Sequence, residues 1–239
     1  MLSKNQIKLI KSLELKKNRK RVGLFVAEGP KVVGDLLRAG YRPYSFFSTQ
    51  PRPDAELITD DELRRISFLQ HPQEVLAVFH IPPSSLLPSP SSLLSLALDG
   101  VQDPGNVGTI IRIADWFGIS NIYCSPDTAD VYNPKVVQAT MGSLAHVTIT
   151  YCDLVPLLRE ADVPIYGTLL DGQNIYEQPL SDKGVIVMGN EGNGISPEIR
   201  QLVTHKILIP NFNKNHETAE SLNVAIATAI TCSEFRRKD

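Results

Sequence analysis

The sequence lacks any apolar stretch long enough to cross a bilayer. Its apolar runs, such as residues 184–188, are far shorter than the about 20 residues that a membrane-spanning helix needs. Lysines at positions 4, 8 and 11 interrupt the region where a secretory signal peptide would be apolar. Of the 239 residues, 42% are hydrophobic and 21% are charged, which is ordinary for a soluble globular protein. We therefore expect a cytoplasmic protein.

Cysteine is also scarce. The chain has three cysteines, Cys124, Cys152 and Cys232, and they are scattered along it. Their odd number and their spacing fit neither a disulfide framework nor a set of zinc ligands. We therefore expect buried, reduced thiols.

Two fingerprints of phosphate-binding loops are absent. No G-x-G-x-x-G follows the first strand of the second half, and no G-x-x-x-x-G-K-[ST] occurs. Residues 189–194 read Gly-Asn-Glu-Gly-Asn-Gly, but Glu191 would repel a pyrophosphate held in that loop. The loop suits a cationic ligand, or a neutral one held through backbone groups, and a simple tight turn is the alternative.

Net charge gives no signal for nucleic acid, because 24 basic and 26 acidic residues leave a formal charge of −2. The cations are unevenly placed, however, and five of them follow or end a helix predicted near residues 3–17: Lys16, Lys17, Arg19, Lys20 and Arg21. This cluster is either a solvated helix followed by a basic turn or a face that binds a polyanion. The close spacing favours contact with phosphates.

A stretch rich in proline and serine, residues 81–92, divides the chain. It can form neither a helix nor a central strand, since prolines remove backbone donors and restrict the residues before them. We predict a small α/β domain over residues 1–80, a linker over 81–93 and a second domain over 94–239. In the second domain short apolar strands alternate with helical patterns, which is typical of an α/β fold with a mostly parallel sheet.

Three polar or glycine-rich stretches follow predicted strands of the second domain. They cover residues 103–112, 187–194 and 220–224. Ligands of open α/β sheets bind at the edge where the carboxyl ends of the strands meet. The three stretches together therefore predict a ligand site.

Two features within these stretches suggest chemistry. Arg112 lies in a mostly apolar helical segment, where it either pairs with Asp115 or is aimed at a phosphate or a reacting oxygen. Ser221 is a predicted N-cap with Leu222 opening the last helix. Simple capping by Ser221 does not explain Asn223 in the first turn, because asparagine is a poor helix former.

These stretches resemble the three ordered motifs of the SpoU (TrmH) family of RNA 2′-O-methyltransferases, within the SPOUT superfamily. The matching segments are Asn106-x-Gly108-x-x-x-Arg112, Met188-Gly-Asn-Glu-Gly192, and Ile209-Pro210 followed by Ser221-Leu-Asn-Val224. Residues 25–33 resemble the ribosomal-protein-like RNA-binding domain that often precedes the catalytic domain. The resemblance implies a C-terminal trefoil knot, a homodimer, S-adenosylmethionine as the cofactor, tRNA or rRNA as the substrate, and no metal.

The resemblance also implies roles for individual residues. Arg112 would activate a ribose 2′-hydroxyl, while Asn106, Glu191 and Asn223 would position Arg112 and the ribose. The residues implied to contact the cofactor are Thr168, Gly189, Asn190, Gly192, Ile209, Ser221 and Leu222. The basic cluster at residues 16–21 would bind RNA.

Two segments depart from the family pattern. Residues 211–220, with His216 among them, replace a shorter loop that usually contains methionine and glycine. Residues 141–146 end in His146 where the family often has Phe-Arg, and we expect His146 at a strand edge or an interface. Two other functions stay open: a knotted RNA-binding or ribosome-assembly module without catalysis, and methylation of a base.

Overall fold

The computed structural model describes residues 1–83, 93–213 and 220–237. The chain forms two compact units, one of residues 1–84 with 130–146, the other of residues 85–129 with 147–239. Most of the predicted linker lies outside the described residues. The sequence-based division places residues 130–146 in the second domain, whereas in the structure they belong to the first unit.

The first unit is built around a sheet with strand order β1-β4-β2-β3. Strand β4 is antiparallel to β1 and β2, and β2 is parallel to β3. The elements of this unit are α1 (Lys4–Ser12), α2 (Lys16–Val22), β1 (Leu24–Glu28), α3 (Pro30–Arg38), β2 (Pro43–Ser48), β3 (Glu56–Leu57), α4 (Asp60–Ile66), β4 (Val75–His80) and α6 (Pro134–Ala139).

Sequence signals account for where several helices begin. Ser3 with Gln6, and Thr59 with Glu62, form capping boxes in which each side chain bonds a backbone N–H of the other residue. Proline, whose fixed φ suits the first helical position, opens α3 and α6.

The buried side chains of the first unit form an apolar cluster and an aromatic cluster. Leu13, Phe47 and Leu76 belong to one buried cluster. Phe25 and Phe79 lie opposite each other on β1 and β4, with ring centroids 5.7 Å apart. Tyr132 packs on Phe25 at 4.8 Å. Residues 130–146 therefore complete an aromatic cluster of the first unit.

The predicted helix near residues 3–17 is interrupted. α1 ends at Ser12 and α2 begins at Lys16. The guanidinium of Arg19 donates to the backbone carbonyls of Leu13 and Glu14, both at 2.7 Å. An arginine side chain thus satisfies carbonyls that the interruption leaves without helical partners.

Arg19 is also a correction to the predicted RNA face. Its residue surface is 1% exposed, and its guanidinium donates to Asp130 at 2.6 and 3.1 Å. Asp130 lies 111 positions away in the sequence, so no local pattern reveals this partner. The guanidinium of Arg19 is buried and paired within the fold, so it is not exposed at the surface where phosphates would bind, whereas Lys16, Lys17, Lys20 and Arg21 are exposed.

Replacing Asp130 with alanine is expected to destabilise the protein by about 3 kcal/mol, because the variant leaves a buried guanidinium charge without its partner. Urea denaturation measures this change. The matched control is Asp61→Ala, which breaks the exposed ion pair with Arg64 and should cost less than about 1 kcal/mol. Equal stability of the Asp130 and Asp61 variants would contradict a role for the Arg19–Asp130 pair in the fold.

The second unit contains a six-stranded sheet with order β10-β8-β9-β5-β6-β7, in which every neighbouring pair is parallel. The predicted α/β fold with a mostly parallel sheet is confirmed. The elements are β5 (Leu94–Leu98), α5 (Pro104–Trp116), β6 (Asn121–Cys124), β7 (Thr148–Tyr151), α7 (Leu154–Arg159), β8 (Ile165–Asn174), β9 (Gly184–Met188), α8 (Pro197–Arg200), β10 (His205–Leu208) and α9 (Val224–Arg236).

The order of the strands places a crevice beside the centre of this sheet. β5 and β9 are neighbours, with Leu98 opposite Met188 at their carboxyl ends. The sheet continues through β6 and β7 on one side and through β8 and β10 on the other. Such a point, where successive strands lie on opposite sides, is where open α/β sheets bind ligands.

The three cysteines are free thiols. Cys124 and Cys232 are buried and Cys152 is half-buried. Burial raises the pKa of the Cys124 thiol and raises the pKa of Cys232 to about 12. These two thiols are therefore protonated at neutral pH, as expected from the sequence. No helix among the described residues has both the length and the apolar character needed to span a membrane.

Candidate active site

A cavity of about 950 Å³ lies beside β8 and the carboxyl ends of β9 and β10. Most of its wall comes from four parts of the chain, residues 168–171, 188–195, 207–212 and 220–222, and Arg200, Val224 and Ala227 complete it. All seven residues that the sequence assigned to cofactor contact line this cavity: Thr168, Gly189, Asn190, Gly192, Ile209, Ser221 and Leu222.

The loop after β9 is held in one conformation by its own hydrogen bonds. The backbones of Asn190 and Gly194 exchange two bonds of 2.9 Å. The Asn190 side chain accepts from the N–H groups of Gly192 and Asn193 at 2.9 and 3.0 Å, and donates to the Gly100 carbonyl at 2.7 Å. Asn190 therefore shapes the loop with its side chain.

Gly189 is the residue that allows this loop to close. A Cβ atom at this position would lie 2.3 Å from the backbone carbon of Gly194 and 2.4 Å from the nitrogen of Ile195. Both are rigid backbone atoms, so a larger residue cannot be accommodated by a side-chain movement. The glycine is required for close backbone approach, independently of its φ angle.

A chain of hydrogen bonds connects the three sequence motifs beside the cavity. Asn106 donates to the Glu191 carboxylate at 3.0 Å, and Asn223 donates to the side-chain oxygen of Asn106 at 2.9 Å. Glu191 also accepts from the backbone N–H groups of Gln102 and Asp103, each at 3.3 Å. The predicted positioning residues Asn106, Glu191 and Asn223 thus form one connected network.

Asn223 also corrects the predicted start of the last helix. α9 begins at Val224, and the Asn223 side chain accepts from the N–H groups of Ala225 and Ile226 at 2.9 and 3.3 Å. Asn223 is therefore the N-cap, and Ser221 and Leu222 precede the helix. The prediction placed the helix start too early, and asparagine at this position is a favourable cap.

Arg112 is exposed on α5 and does not line the cavity of its own chain. Within the described part of the chain, its guanidinium forms no ion pair or hydrogen bond. The ion pair from Arg112 to Asp115, which was the alternative explanation from the sequence, is therefore not formed. The structure brings together Asn106, Glu191 and Asn223 and leaves the fourth predicted catalytic residue free to reach a group outside this chain.

Two family models match the chain. Residues 93–233 match the model described as SpoU rRNA Methylase family, and residues 4–77 match the MRM3-like substrate binding domain. The chain belongs to the SpoU rRNA methylase family. The predicted membership is confirmed.

This SpoU chain is similar to a named enzyme and to proteins of known structure. A 23S rRNA (guanosine(2553)-2′-O)-methyltransferase of Bacillus subtilis is 31% identical and covers 98% of this chain, which in turn covers 97% of that enzyme. A putative RNA methyltransferase of the TrmH family from Porphyromonas gingivalis is 44% identical, with a TM-score of 0.88 and full coverage of both chains. An AdoMet-bound rRNA methyltransferase from Sinorhizobium meliloti is 32% identical, with a TM-score of 0.88 over 100% of this chain and 96% of that one.

The sequence did not single out two charged residues at the wall of the SpoU cavity. Asp171 accepts from Arg200 at 2.5 Å and from Lys206 at 3.0 Å, and both Asp171 and Arg200 line the cavity. The hydrogen bond from Lys206 holds the pKa of Asp171 below its usual range, and the bond from Arg200 acts in the same direction. The signal in the sequence is the position of Asp171, three residues after Thr168.

The segments that depart from the family pattern are placed in part. Asn211 and Phe212 line the cavity, and residues 214–219, which include His216, lie outside the described residues. His146 is exposed and follows a short 3₁₀ helix, Ser143–Ala145, in the first unit. Its place at an interface stays a prediction.

Glu191 is ionised at neutral pH. Burial acts to raise the pKa of this carboxyl, but hydrogen bonds from the Asn106 side chain and from backbone N–H groups, including those of Gln102 and Asp103, outweigh it and hold the pKa below its usual range. A carboxyl with a lowered pKa in the folded state stabilises the fold above the unfolded pKa of about 4.3, and loses that contribution as pH falls through the folded pKa.

Replacing Glu191 with glutamine is therefore expected to lower the free energy of unfolding at pH 7. The difference in this free energy between wild type and variant should narrow as pH falls below about 4.3. The physical reason is that the hydrogen bonds that Glu191 accepts are strongest when its carboxylate is charged. Urea denaturation at a series of pH values measures this difference. A difference that stays constant from pH 7 to pH 3.5 would contradict a charge-dependent role for Glu191.

Proposed function

We propose that this chain transfers a methyl group from S-adenosylmethionine to the 2′-hydroxyl of a ribose in ribosomal RNA. The observation that carries the proposal is the connected network of Asn106, Glu191 and Asn223, in which Glu191 lines a ligand-sized cavity. The SpoU relatives support the reaction class, and the Bacillus subtilis relative supports 23S rRNA as the first substrate to test. Neither a module without catalysis nor a base methyltransferase is favoured by these relatives.

The cavity fits S-adenosylmethionine in size and charge. Its volume of about 950 Å³ lies within the range of small-molecule sites. Among the described residues, three carboxylates line it, Asp171, Glu191 and Glu220, and the lining arginine, Arg200, is paired with Asp171. This acidic character suits a ligand that carries sulfonium and ammonium charges. When bound, the cofactor supplies an electrophilic methyl group.

The residues of this chain would hold the cofactor mainly through backbone groups. Gly189 and Gly192 belong to the closed loop after β9, and Ile209 follows β10. Ser221 and Leu222 precede the N-cap of α9. The Thr168 hydroxyl donates to the Val187 carbonyl at 3.0 Å, which ties β8 to the end of β9.

A ribose 2′-hydroxyl is a weak nucleophile, so the protein must orient it and stabilise the charge that develops on its oxygen. We assign the second task to Arg112, whose guanidinium presents five donors and does not give up its proton at neutral pH. Asn106, Glu191 and Asn223 would fix the position of the ribose by hydrogen bonds. Their mutual bonds restrict each side chain before substrate arrives, which lowers the cost of ordering them.

In this proposal Arg112 acts on substrate bound at the cavity of a second copy of the chain. It is exposed on α5 and lies away from the cavity lining, so we infer that it completes the site of a partner in a homodimer. Exposed apolar side chains on α5 and α9 support such a surface: Trp116 at the end of α5 is 85% exposed, and Ile226 on α9 is 53% exposed. We further propose that the C-terminal segment is threaded as a trefoil knot, as in the wider family.

The first unit is proposed as the RNA-binding part. Its match to a substrate binding domain and the exposed cations of α2 support this role. The bacterial relatives that act on 23S rRNA support action in the cytoplasm.

Replacing Lys16, Lys17, Lys20 and Arg21 with glutamine is expected to weaken RNA binding and to flatten its salt dependence, because each lost phosphate contact lowers the slope by about 0.7 to 0.9. Binding to in vitro-transcribed 23S rRNA at several salt concentrations gives the slope. An unchanged slope would place the RNA-binding face elsewhere.

The proposed reaction is tested by transfer of labelled methyl from S-adenosylmethionine to three separate substrates: unmodified 23S rRNA, unmodified 16S rRNA and bulk tRNA. We expect label in 23S rRNA. Label only in tRNA would assign a different substrate class, and failure to label any of the three with the cofactor bound would contradict the proposed reaction on mature-length RNA.

A further inference from the structure

An exposed tyrosine stands out on the sheet of the first unit. Tyr44 lies in β2 and is 55% exposed. The pairing of β2 with β4 shifts register between Pro43 and Ser45, so Tyr44 is the extra residue of a β-bulge. Bulges redirect a side chain away from the regular pleat and are common beside functional sites. The geometry therefore presents this ring outward.

A second ring accompanies Tyr44. The imidazole of His80, at the exposed end of β4, lies edge-on to the tyrosine with centroids 5.8 Å apart and planes at 76°. The backbone N–H of His80 donates to the carbonyl of Arg42 at 3.0 Å, which fixes the end of β4 beside the start of β2. The two rings and the exposed Arg42 therefore occur at one end of the sheet.

The same end of the sheet is joined to the basic helix. Leu24 of β1 lies opposite His80, and the N–H of Ile81 donates to the carbonyl of Gly23 at 2.8 Å. Gly23 is the C-cap of α2, whose last turn carries the exposed cations Lys20 and Arg21. No acidic residue occurs in residues 39–47 or 75–83. The exposed rings thus lie beside positive charge without a neighbouring carboxylate in either strand segment.

We propose that the Tyr44 ring, held in place by the nearly perpendicular ring of His80, is a stacking platform for an unpaired base of the RNA substrate, with Arg42 and Arg21 binding the flanking phosphates. This inference rests on the proposed RNA methyltransferase function and names a recognition element within it. Sequence-specific proteins bind unpaired RNA bases by stacking them on aromatic side chains, and cations alongside hold the backbone. An aromatic pair with arginines fits this chemistry better than binding through phosphates alone.

Stacking on Tyr44 should contribute to the binding of unpaired RNA but not to the binding of an RNA duplex. In an A-form duplex the bases are stacked on each other and their faces are not available to a protein ring. The bases of a single strand unstack at much lower cost and can then offer their faces to a protein ring. Loss of the Tyr44 ring should therefore weaken single-strand binding and leave duplex binding unchanged, whereas loss of a phosphate contact should weaken both.

The test compares Tyr44→Ala, Tyr44→Phe and the control Leu57→Ala in the full-length protein. Leu57 is an exposed residue of β3 in the same sheet. The probes are oligoadenylate and a fully paired RNA duplex of equal length, with Kd measured by fluorescence anisotropy. We expect Tyr44→Ala to weaken oligoadenylate binding about tenfold, in line with the loss of one stacked base, with the duplex Kd unchanged. Tyr44→Phe and Leu57→Ala should remain within about twofold of wild type.

Two results would overturn the proposal: an unchanged oligoadenylate Kd for Tyr44→Ala, or equal weakening on both probes. A parallel assay of methyl transfer to 23S rRNA separates this inference from the proposed function. Wild-type transfer with an unchanged Kd for Tyr44→Ala would overturn the stacking platform and leave the reaction standing. Selective loss of single-strand binding without any wild-type transfer would support the platform and contradict the reaction.

Discussion

Replacing Arg112 with alanine is expected to lower kcat for methyl transfer by about 10² to 10³-fold, the usual effect of removing a donor that stabilises transition-state charge. The affinity for S-adenosylmethionine should stay near wild type, because Arg112 does not line the cavity. Stability should also change little, because the side chain is exposed and makes no ion pair or hydrogen bond within the described residues. Single-turnover kinetics and calorimetric cofactor titration measure the two quantities.

The matched control for this prediction is Arg64→Ala, which removes another exposed arginine, in α4 of the first unit. It should retain near-normal transfer. Near-normal transfer by the Arg112 variant, with the cofactor bound, would contradict the assignment of Arg112. Loss of cofactor affinity in that variant would instead make Arg112 a cofactor-binding residue.

Replacing Gly189 with alanine is expected to abolish cofactor binding, with an affinity loss of at least about 100-fold. The added Cβ would lie 2.3 Å from the Gly194 carbon and 2.4 Å from the Ile195 nitrogen, so the loop after β9 must open. Opening would break the two backbone bonds between Asn190 and Gly194. A loop displaced by even one ångström no longer matches a preorganised site.

Gly192→Ala is the matched control, because it adds the same methyl group to the same loop. Its Cβ would meet only the side-chain oxygen of Asn190, at 3.6 Å, which is ordinary contact. Because Gly192 also lines the cavity, calorimetric titration with S-adenosylmethionine should give a loss of affinity for this variant that is clearly smaller than the loss for Gly189→Ala. Equal losses for the two alanine variants would show that the close approach at Gly189 is not what shapes the site.

The two variants together test whether a second copy completes the site. A mixed dimer of one Arg112→Ala chain and one Gly189→Ala chain contains one intact cavity, faced by the intact arginine of the other chain. Co-expression with two different affinity tags and sequential purification isolates this species. We expect it to recover transfer that neither variant supports alone. Failure of the purified mixed dimer to recover transfer would contradict a site shared between copies.

A ligand site was predictable from the sequence because glycine-rich and polar stretches follow predicted strands. The seven cofactor contacts came from the resemblance to the SpoU family, and all seven line the cavity. The network was predictable only as a set of residues, through the family motifs. Its connections, from Asn223 to Asn106 to Glu191, depend on how three distant segments meet.

The predictions from the sequence failed where the partner of a residue is distant in the sequence. Arg19 belongs to a run of cations that indicates a solvated or phosphate-binding face. In the structure it is buried and paired with Asp130, which lies 111 positions away in the sequence. The same tertiary contact explains why residues 130–146 belong to the first unit, although no composition change marks them. The start of α9 was misplaced because Ser221 and Asn223 are both good N-caps, and only the contacts of Asn223 decide between them.

The central claim is that the chain methylates a ribose oxygen, and its most direct test is the chemical position of the transferred methyl group. RNA labelled by the wild-type protein is digested to nucleosides, and a second portion is hydrolysed with alkali. The account predicts a labelled 2′-O-methyl nucleoside and an alkali-resistant dinucleotide, because the methylated 2′-oxygen can no longer attack the adjacent phosphate. Label on a base, with complete alkaline cleavage at the modified position, would contradict it.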